Sequence, residues 1–225
     1  NHGDGEYSFD WSWAQAYVRH CQAYYPKLFS MIPFTPATTQ HFIGSNWDQL
    51  IEKHLAFMKE SGCSSSHFLF TNAEENTFLK ENEFLIRESM QYHFFNDNYC
   101  DFSDFLSQLK AKKAKNILKE RSYKNVTLER LTGNQIRIEH AQEMYEFYLS
   151  TIYKKNAIPY LKKEFFQIVF QSMPENILYV RASRDDKSIA GSLYFFNEDT
   201  LYGRYWGCCE DVPFLHFELC YRSEE

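Results

Sequence analysis

Apolar residues recur at helical spacing along some stretches of the chain and alternate along others, and these two periods divide it into elements. Over 11–21, Trp11, Ala14, Val18 and Cys21 share a helical face, with Asp10 placed to cap its start. The stretch 27–34 is apolar on both faces, which predicts a strand central in a covered sheet. A threonine-rich loop follows over 35–45. Leu50, Ile51, Leu55 and Met58 stripe a helix over 47–61, capped by Ser45 or Asn46 and stopped by Gly62. A strand at 67–71, a small helix at 75–80 and strands at 84–87 and 91–95 complete the first half.

Ser103 opens a strongly basic helix to 123, and then the pattern restarts. A strand at 126–131 precedes a helix over 141–153 striped by Met144, Tyr145, Tyr148 and Ile152. A helix over 162–172 turns Phe165, Phe166 and Val169 inward. Three consecutive strands follow at 177–182, 189–196 and 201–206, with turns at Asp185-Asp186 and 197–199. Pro213 suits the first turn of a last helix. The second half thus reads strand, helix, helix, strand, strand, strand, helix, the opening half of an acetyltransferase-type fold. The first half reads as the closing half of the same fold. The expected class is α/β: tandem acetyltransferase-type (GNAT-like) units, each a mixed sheet flanked by helices, the first lacking its start and the second its end in this chain. The expected limits are 1–102 for the first unit, 103–124 for a basic connecting helix and 125–225 for the second unit. A single mixed-sheet domain is the alternative.

Composition narrows the function. The chain has 225 residues, 44% hydrophobic and 24% charged, which excludes disorder over most of its length. Its 21 Phe, 16 Tyr and 4 Trp suit a cleft lined with rings that carry polar edges. Twenty-four Lys and Arg against 30 Asp and Glu give a net charge of −6, so nucleic-acid binding would have to rest on a local patch. No apolar run approaches the roughly 18 residues of a membrane span, and no signal-peptide pattern stands at the start. A cytoplasmic location is expected. The six cysteines form no C-x-x-C pair, which favours free thiols and argues against zinc, so no metal is expected.

Several strings carry a family resemblance. EYSFDWSWAQAY (6–17), YYPKLFSMIPFTP (24–36), QYHFFN (91–96), KKAKNILKER (112–121) and LYGRYWGCCEDVPFLHFELCY (201–221) occur in the order seen in FemAB-like N-acyltransferases, and together span most of the chain. The chain resembles that family. The resemblance implies paired acetyltransferase-type domains and direct N-acyl or N-aminoacyl transfer to an amine; better-known relatives move an aminoacyl group from tRNA onto a peptidoglycan precursor. It implies no permanently bound cofactor, a donor that is an acyl-CoA or an aminoacyl-tRNA, and an amine-bearing small-molecule or peptide acceptor.

Four groups of residues can carry such chemistry. Lys110, Lys112, Lys113, Lys115, Lys119, Arg121 and Lys124 face one acid, Glu120, and can form an anion site for a tRNA, a nucleotide-linked sugar or a phosphate-bearing carrier, or a solvated helix face. Thr35, Thr38 and Thr39, with Gly44 and Ser45, offer a loop free of carboxylates for an anionic or sugar-containing ligand. Strict alternation puts Tyr202, Arg204 and Trp206 on one side of their strand, with Arg204 either a substrate clamp or part of a buried structural ion pair. The turn Cys208-Cys209-Glu210-Asp211-Val212-Pro213 sets carboxylates where an acetyl-CoA enzyme presents glycines, and the usual R-x-x-G-x-G/A string is absent. That turn suits an amine, with Glu210 the first candidate for catalytic base and His216 the second. His216 and Glu218 lie on different faces of the last helix, and a Cys220–His216 nucleophile pair is the weaker reading. The other histidines, among them His41, read as structural or exposed. The competing function is a non-catalytic ligand- or RNA-binding module on the same fold.

Overall fold

The computed structural model describes residues 11–32, 35–121 and 125–221. The chain divides into two compact units, Asn1–His93 and Phe94–Glu225.

In the first unit, α1 (Trp11–Arg19) leads to β1 (Leu28–Ser30), α2 (Trp47–Glu60), β2 (Ser66–Phe68) and α3 (Ala73–Glu81). β1 and β2 pair in parallel, Leu28 against Ser66, with α2 as the crossover between them. The strand expected over 27–34 is therefore shorter, and among the described residues it pairs with β2 alone rather than lying inside a wider sheet; its Pro33 and Phe34 fall outside the described residues. Lys27 does not extend it as an apolar position. Its buried ammonium stands 4.4 Å from the ring centre of Tyr24 and 4.7 Å from that of Phe29. The strands expected at 84–87 and 91–95 are irregular chain. Glu83, at φ 65°, turns the backbone after α3, and Leu85, Met90, Tyr92 and Phe95 are exposed, so their alternation has no buried face to serve. Phe42, Ile51 and Leu79 form the core with Trp47, Phe68 and Phe78 packed on it.

Glu75 ties this unit together from inside. It is fully buried and closes a capping box with Asn72 at the start of α3. Its carboxylate also accepts the backbone N–H groups of His41 and Phe42, and His41 Nδ1 lies 3.2 Å from Oε2. Burial pushes the Glu75 carboxyl upward, but these donors outweigh it and hold the group below its ordinary 4.5. A carboxyl depressed by folding contributes stability above its unfolded pKa, which is lost as pH falls through the folded value. Glu75→Gln is expected to cost the first unit about 1–3 kcal/mol at neutral pH. It should also flatten the loss of stability on acidification below 4.5, measured by denaturant melts across pH.

In the second unit, Asp101 caps α4 (Phe102–Ser107) by accepting the Asp104 N–H at 2.8 Å. The long basic helix expected over 103–123 is in fact two, because Lys110, at φ −56° and ψ 136°, breaks the helical run before α5 (Ala111–Glu120). A four-stranded antiparallel sheet follows in the order β3 (Thr127–Leu131), β4 (Ile177–Arg184), β5 (Lys187–Phe196), β6 (Leu201–Cys208). Helices α6 (Ile138–Lys154) and α7 (Lys163–Ser172) come between β3 and β4, and α8 (Leu215–Tyr221) follows β6. These elements match the sequence expectation closely, since periodicity and burial agree in them. Asp185 and Asp186 turn β4 into β5 with φ of 49° and 62°, the primed geometry that a two-residue hairpin requires. Pro213 precedes the last helix rather than opening it, and Phe214 at φ 67° bends the chain into α8.

The sheet is covered on both faces. Met144, Phe147, Tyr148, Phe166 and Phe170 pack from α6 and α7 onto Ile177, Tyr179, Leu193 and Tyr205. Leu215 and Leu219 pack from α8 onto Val180, Ala190 and Tyr194 on the other face. Tyr194 and Ser192 both donate to the Leu219 carbonyl, fixing α8 on β5. Glu218 is buried, and Arg121 at the end of α5 donates to it at 2.8 Å while its guanidinium lies 4.1 Å above the Phe102 ring. All six cysteines are free thiols. Among the described residues no helix is long and apolar enough to cross a membrane, and no group of three metal-ligating side chains converges.

Candidate functional site

β6 is an edge strand, and its two ends are treated differently. Near its carboxyl end α6 lies directly on the backbone: Thr151 Oγ1 donates to the Trp206 carbonyl at 2.7 Å, and Ser150 Oγ accepts the Cys208 N–H at 3.2 Å. Further back the register slips. Leu193 pairs with Tyr205 but Tyr194 with Gly203, so Arg204 is an extra residue in the strand. Such a bulge re-aims side chains.

The bulge corrects the clamp expected from alternation. Tyr202 pairs with Phe195 and Tyr205 with Leu193, which puts both tyrosines on the α6/α7 face. Trp206 pairs with Ser192 on the α8 face. Tyr202 and Trp206 are thus on opposite sides of the sheet. Arg204 follows the tyrosines: its guanidinium lies 4.9 Å from the Tyr205 ring centre, and Nη2 donates to the Tyr205 hydroxyl at 3.2 Å.

On the α8 face the turn after β6 brings a second set together. The His216 ring meets the Trp206 indole edge-on at 5.0 Å. Burial, reinforced by the charge of Lys155, lowers the His216 pKa from its ordinary 6.5, so the imidazole is neutral at physiological pH. Glu210 lies in an ion pair with Arg184 at the end of β4, and no polar contact joins it to His216 among the described residues. Asp211 is exposed, 3.8 Å from Lys154. His216 and Glu218 do diverge, one toward Trp206 and the other toward Arg121. Burial pushes the Cys220 thiol up to about 12, so it stays protonated at neutral pH and cannot serve as an activated nucleophile.

The remaining candidates are separate from this corner. Lys112, Lys113 and Lys115 are exposed on α5, and Lys119 lies on the same side of the helix as Lys112 and Lys115. Lys124 lies outside the described residues. In the first unit Thr38 is exposed, Thr39 donates its N–H to Phe70 at 3.1 Å, and Thr35 donates its own to Ile32 at 3.1 Å. The loop that carries them is anchored through His41 and Phe42 to Glu75.

Two features escape sequence reasoning. Arg184 is the ion-pair partner of Glu210, 26 residues away. His41 is not a surface residue: its side chain is 3% exposed against a carboxylate 34 residues away.

The corner at the end of β6 therefore offers a neutral imidazole, an indole edge and a salt-bridged carboxylate, with a bulged arginine on the sheet's other face. Such groups can accept a proton and orient a polar substrate, and they call for no metal. No curated protein matches the chain. The sequence profile of the FemAB-like family, described as peptidoglycan biosynthesis/recognition, matches residues 1–224. Nearly the whole chain follows that profile, the β6–α8 corner included, and the protein belongs to the FemAB-like family.

Proposed function

We propose that the protein is an N-acyltransferase that moves an acyl or aminoacyl group from an ester or thioester donor onto an amine of a peptidoglycan precursor or related peptide. The family supports the peptidoglycan connection. The observation that carries the chemistry is the neutral His216 beside Trp206 at the end of an edge strand. The amine nitrogen attacks the donor carbonyl carbon, the C–O or C–S bond to the carrier breaks, and the amine's proton passes through the imidazole to the departing oxygen or sulfur. This reverses the order of the two base candidates. Glu210 is committed to Arg184, and its part is to hold the acceptor's ammonium form near the turn before it loses a proton.

The second unit supports an acetyltransferase-type reading: its sheet is antiparallel, with α6 and α7 on one face and α8 on the other. The parallel β1–β2 pair with its crossover helix supports the closing half of the same fold in the first unit. The donor's anionic part, whether of an acyl-CoA or an aminoacyl-tRNA, is assigned to the lysine side of α5 at Lys112, Lys115 and Lys119. One observation favours a non-catalytic binding module instead. Glu210, Asp211 and Pro213 occupy the strand-to-helix turn where a pyrophosphate would need backbone N–H groups. An acyl donor that binds without turnover would establish that alternative.

Arg204→Ala is expected to lower kcat/KM at least about tenfold, ~1.4 kcal/mol of transition-state binding, without unfolding the second unit. Glu210→Gln should raise KM for the amine acceptor more than it lowers kcat. Steady-state kinetics with the donor saturating separate the two effects. Full activity and an unchanged KM in the Glu210 variant would remove the β6–α8 corner as the reactive site, and full activity in the Arg204 variant would remove the opposite face of β6.

A further inference from the structure

The connection between α6 and α7 is a basic loop with an apolar tip. Asn156, in the left-handed region at φ 51°, and the Ala157 N–H, which donates to the Ile152 carbonyl at 3.1 Å, close α6 and turn the chain outward. The Tyr148 hydroxyl then accepts the N–H groups of Tyr160 and Leu161 at 3.0 and 3.2 Å and draws the chain back to the body of the second unit. Ala157, Ile158 and Pro159 form the tip between these two anchors. Ile158 is 88% exposed, and Tyr153, on the last turn of α6, is 61% exposed.

Lysines flank the tip on both sides. Lys154, Lys155, Lys162 and Lys163 are all exposed. Each stands within five residues of Ile158, so at most about 18 Å of chain separates any of them from it. Two acids stand beside them, Glu164 in sequence and Asp211, 3.8 Å from Lys154, in space. The helix ends explain only half of this charge. Lys154 and Lys155 suit the negative carboxyl end of α6. Lys162 and Lys163 stand at the start of α7, where the helix dipole favours carboxylates and disfavours ammonium groups. Their charge works against the helix that carries them, and an external anion would offset that cost.

An apolar tip flanked by ammonium groups matches one kind of partner. A soluble anion would use the lysines and leave Ile158 in water. An apolar protein groove would bury Ile158 and leave the lysines without counter-charges. The surface of an anionic bilayer takes both, with phosphates for the lysines and an apolar layer beneath for the isoleucine. The chain's net charge of −6 would repel such a surface, so contact depends on a local positive field such as this one. We propose that the α6–α7 loop docks the second unit on the surface of an anionic membrane, with Ile158 and Tyr153 entering the headgroup layer and the four lysines on lipid phosphates. The docking is peripheral and needs no spanning helix. It stands whether or not the chain transfers an acyl group, because it uses neither His216 nor Glu210.

The test is co-sedimentation of the full chain with vesicles, one set of phosphatidylcholine alone and one of equal parts phosphatidylcholine and phosphatidylglycerol. The chain should pellet with the anionic vesicles, less so as salt rises, and not with the neutral ones. Changing Lys154, Lys162 and Lys163 together to Gln should weaken vesicle binding at least about tenfold. Lys155 is left in place because its charge acts on His216. Ile158→Ser should weaken binding about fivefold. All four positions are exposed, so thermal unfolding of both variants should be unchanged. Changing Lys112, Lys115 and Lys119 on α5 to Gln is the control for charge alone and should leave vesicle binding intact. No binding to the anionic vesicles, equal binding to the neutral ones, unchanged affinity in either loop variant, or loss of binding in the α5 variant would overturn the proposal. Binding of a short RNA in place of the vesicles, insensitive to I158S, would make the loop a nucleic-acid surface and overturn it equally.

Discussion

His216→Gln is expected to lower turnover about 10²–10⁴-fold, the range for loss of a positioned general base. Gln keeps a comparable size and a polar end against Trp206, so the second unit should unfold at an unchanged temperature. The pH profile separates a base from a merely structural ring. A base must be neutral to accept a proton, so the rate falls as pH drops through its pKa. Burial lowers that pKa, so activity should persist below the ordinary 6.5 before it is lost, and this acid limb should vanish from the residual activity of the variant. An acid limb above 6.5, or one unchanged in the variant, would assign the proton to another group.

Gly207→Ala is expected to unfold the second unit. The backbone of α6 runs so close to β6 that a Cβ at position 207 would lie 1.7 Å from the Phe147 carbonyl oxygen and 2.3 Å from its carbon. Those are backbone atoms, and they are fixed further by the Thr151 and Ser150 bonds to β6. Relief requires α6 to lift off the sheet and give up the contacts of Met144, Phe147 and Tyr148, so the cost should exceed the ~1–3 kcal/mol of ordinary overpacking. Gly203→Ala is the control. There a Cβ would stand 3.5 Å from the Tyr194 ring, an ordinary contact, and the cost should stay within about 1 kcal/mol for a glycine replaced in a strand. Circular dichroism and thermal melts of both variants decide the matter.

Legibility of the sequence followed burial. Met144, Tyr148 and Ile152, then Phe166 and Val169, sit at helical spacing and are all buried, so α6 and α7 could be read directly. The strands β4 to β6 were legible because Asp185-Asp186 and 197–199 break them at chemically suitable turns. The bulge at Arg204 was not. Nothing in L-Y-G-R-Y-W-G distinguishes a regular strand from one with an extra residue, and the mistake carries Trp206 to the wrong face. The stretch 84–95 misled in the opposite direction, since apolar residues there lie exposed on irregular chain. Long-range partners were beyond reach altogether. Arg184 with Glu210, Arg121 with Glu218 and His41 with Glu75 are brought together by the tertiary fold, and no local pattern marks any of them. Glu210 reads as an available carboxylate in the sequence because nothing local marks its ion pair with Arg184.

Acyl transfer itself can be observed by mass. The full chain is incubated with an acyl-CoA or an aminoacyl-tRNA and with a soluble peptidoglycan stem peptide that bears a free amine, and the peptide is weighed by mass spectrometry over time. The peptide should gain the mass of the carboxylic or amino acid less one water, in step with release of free carrier, and the gain should depend on His216. Donor and peptide that both bind, with the peptide's mass unchanged and the donor intact, would contradict transfer and leave a binding protein on this fold.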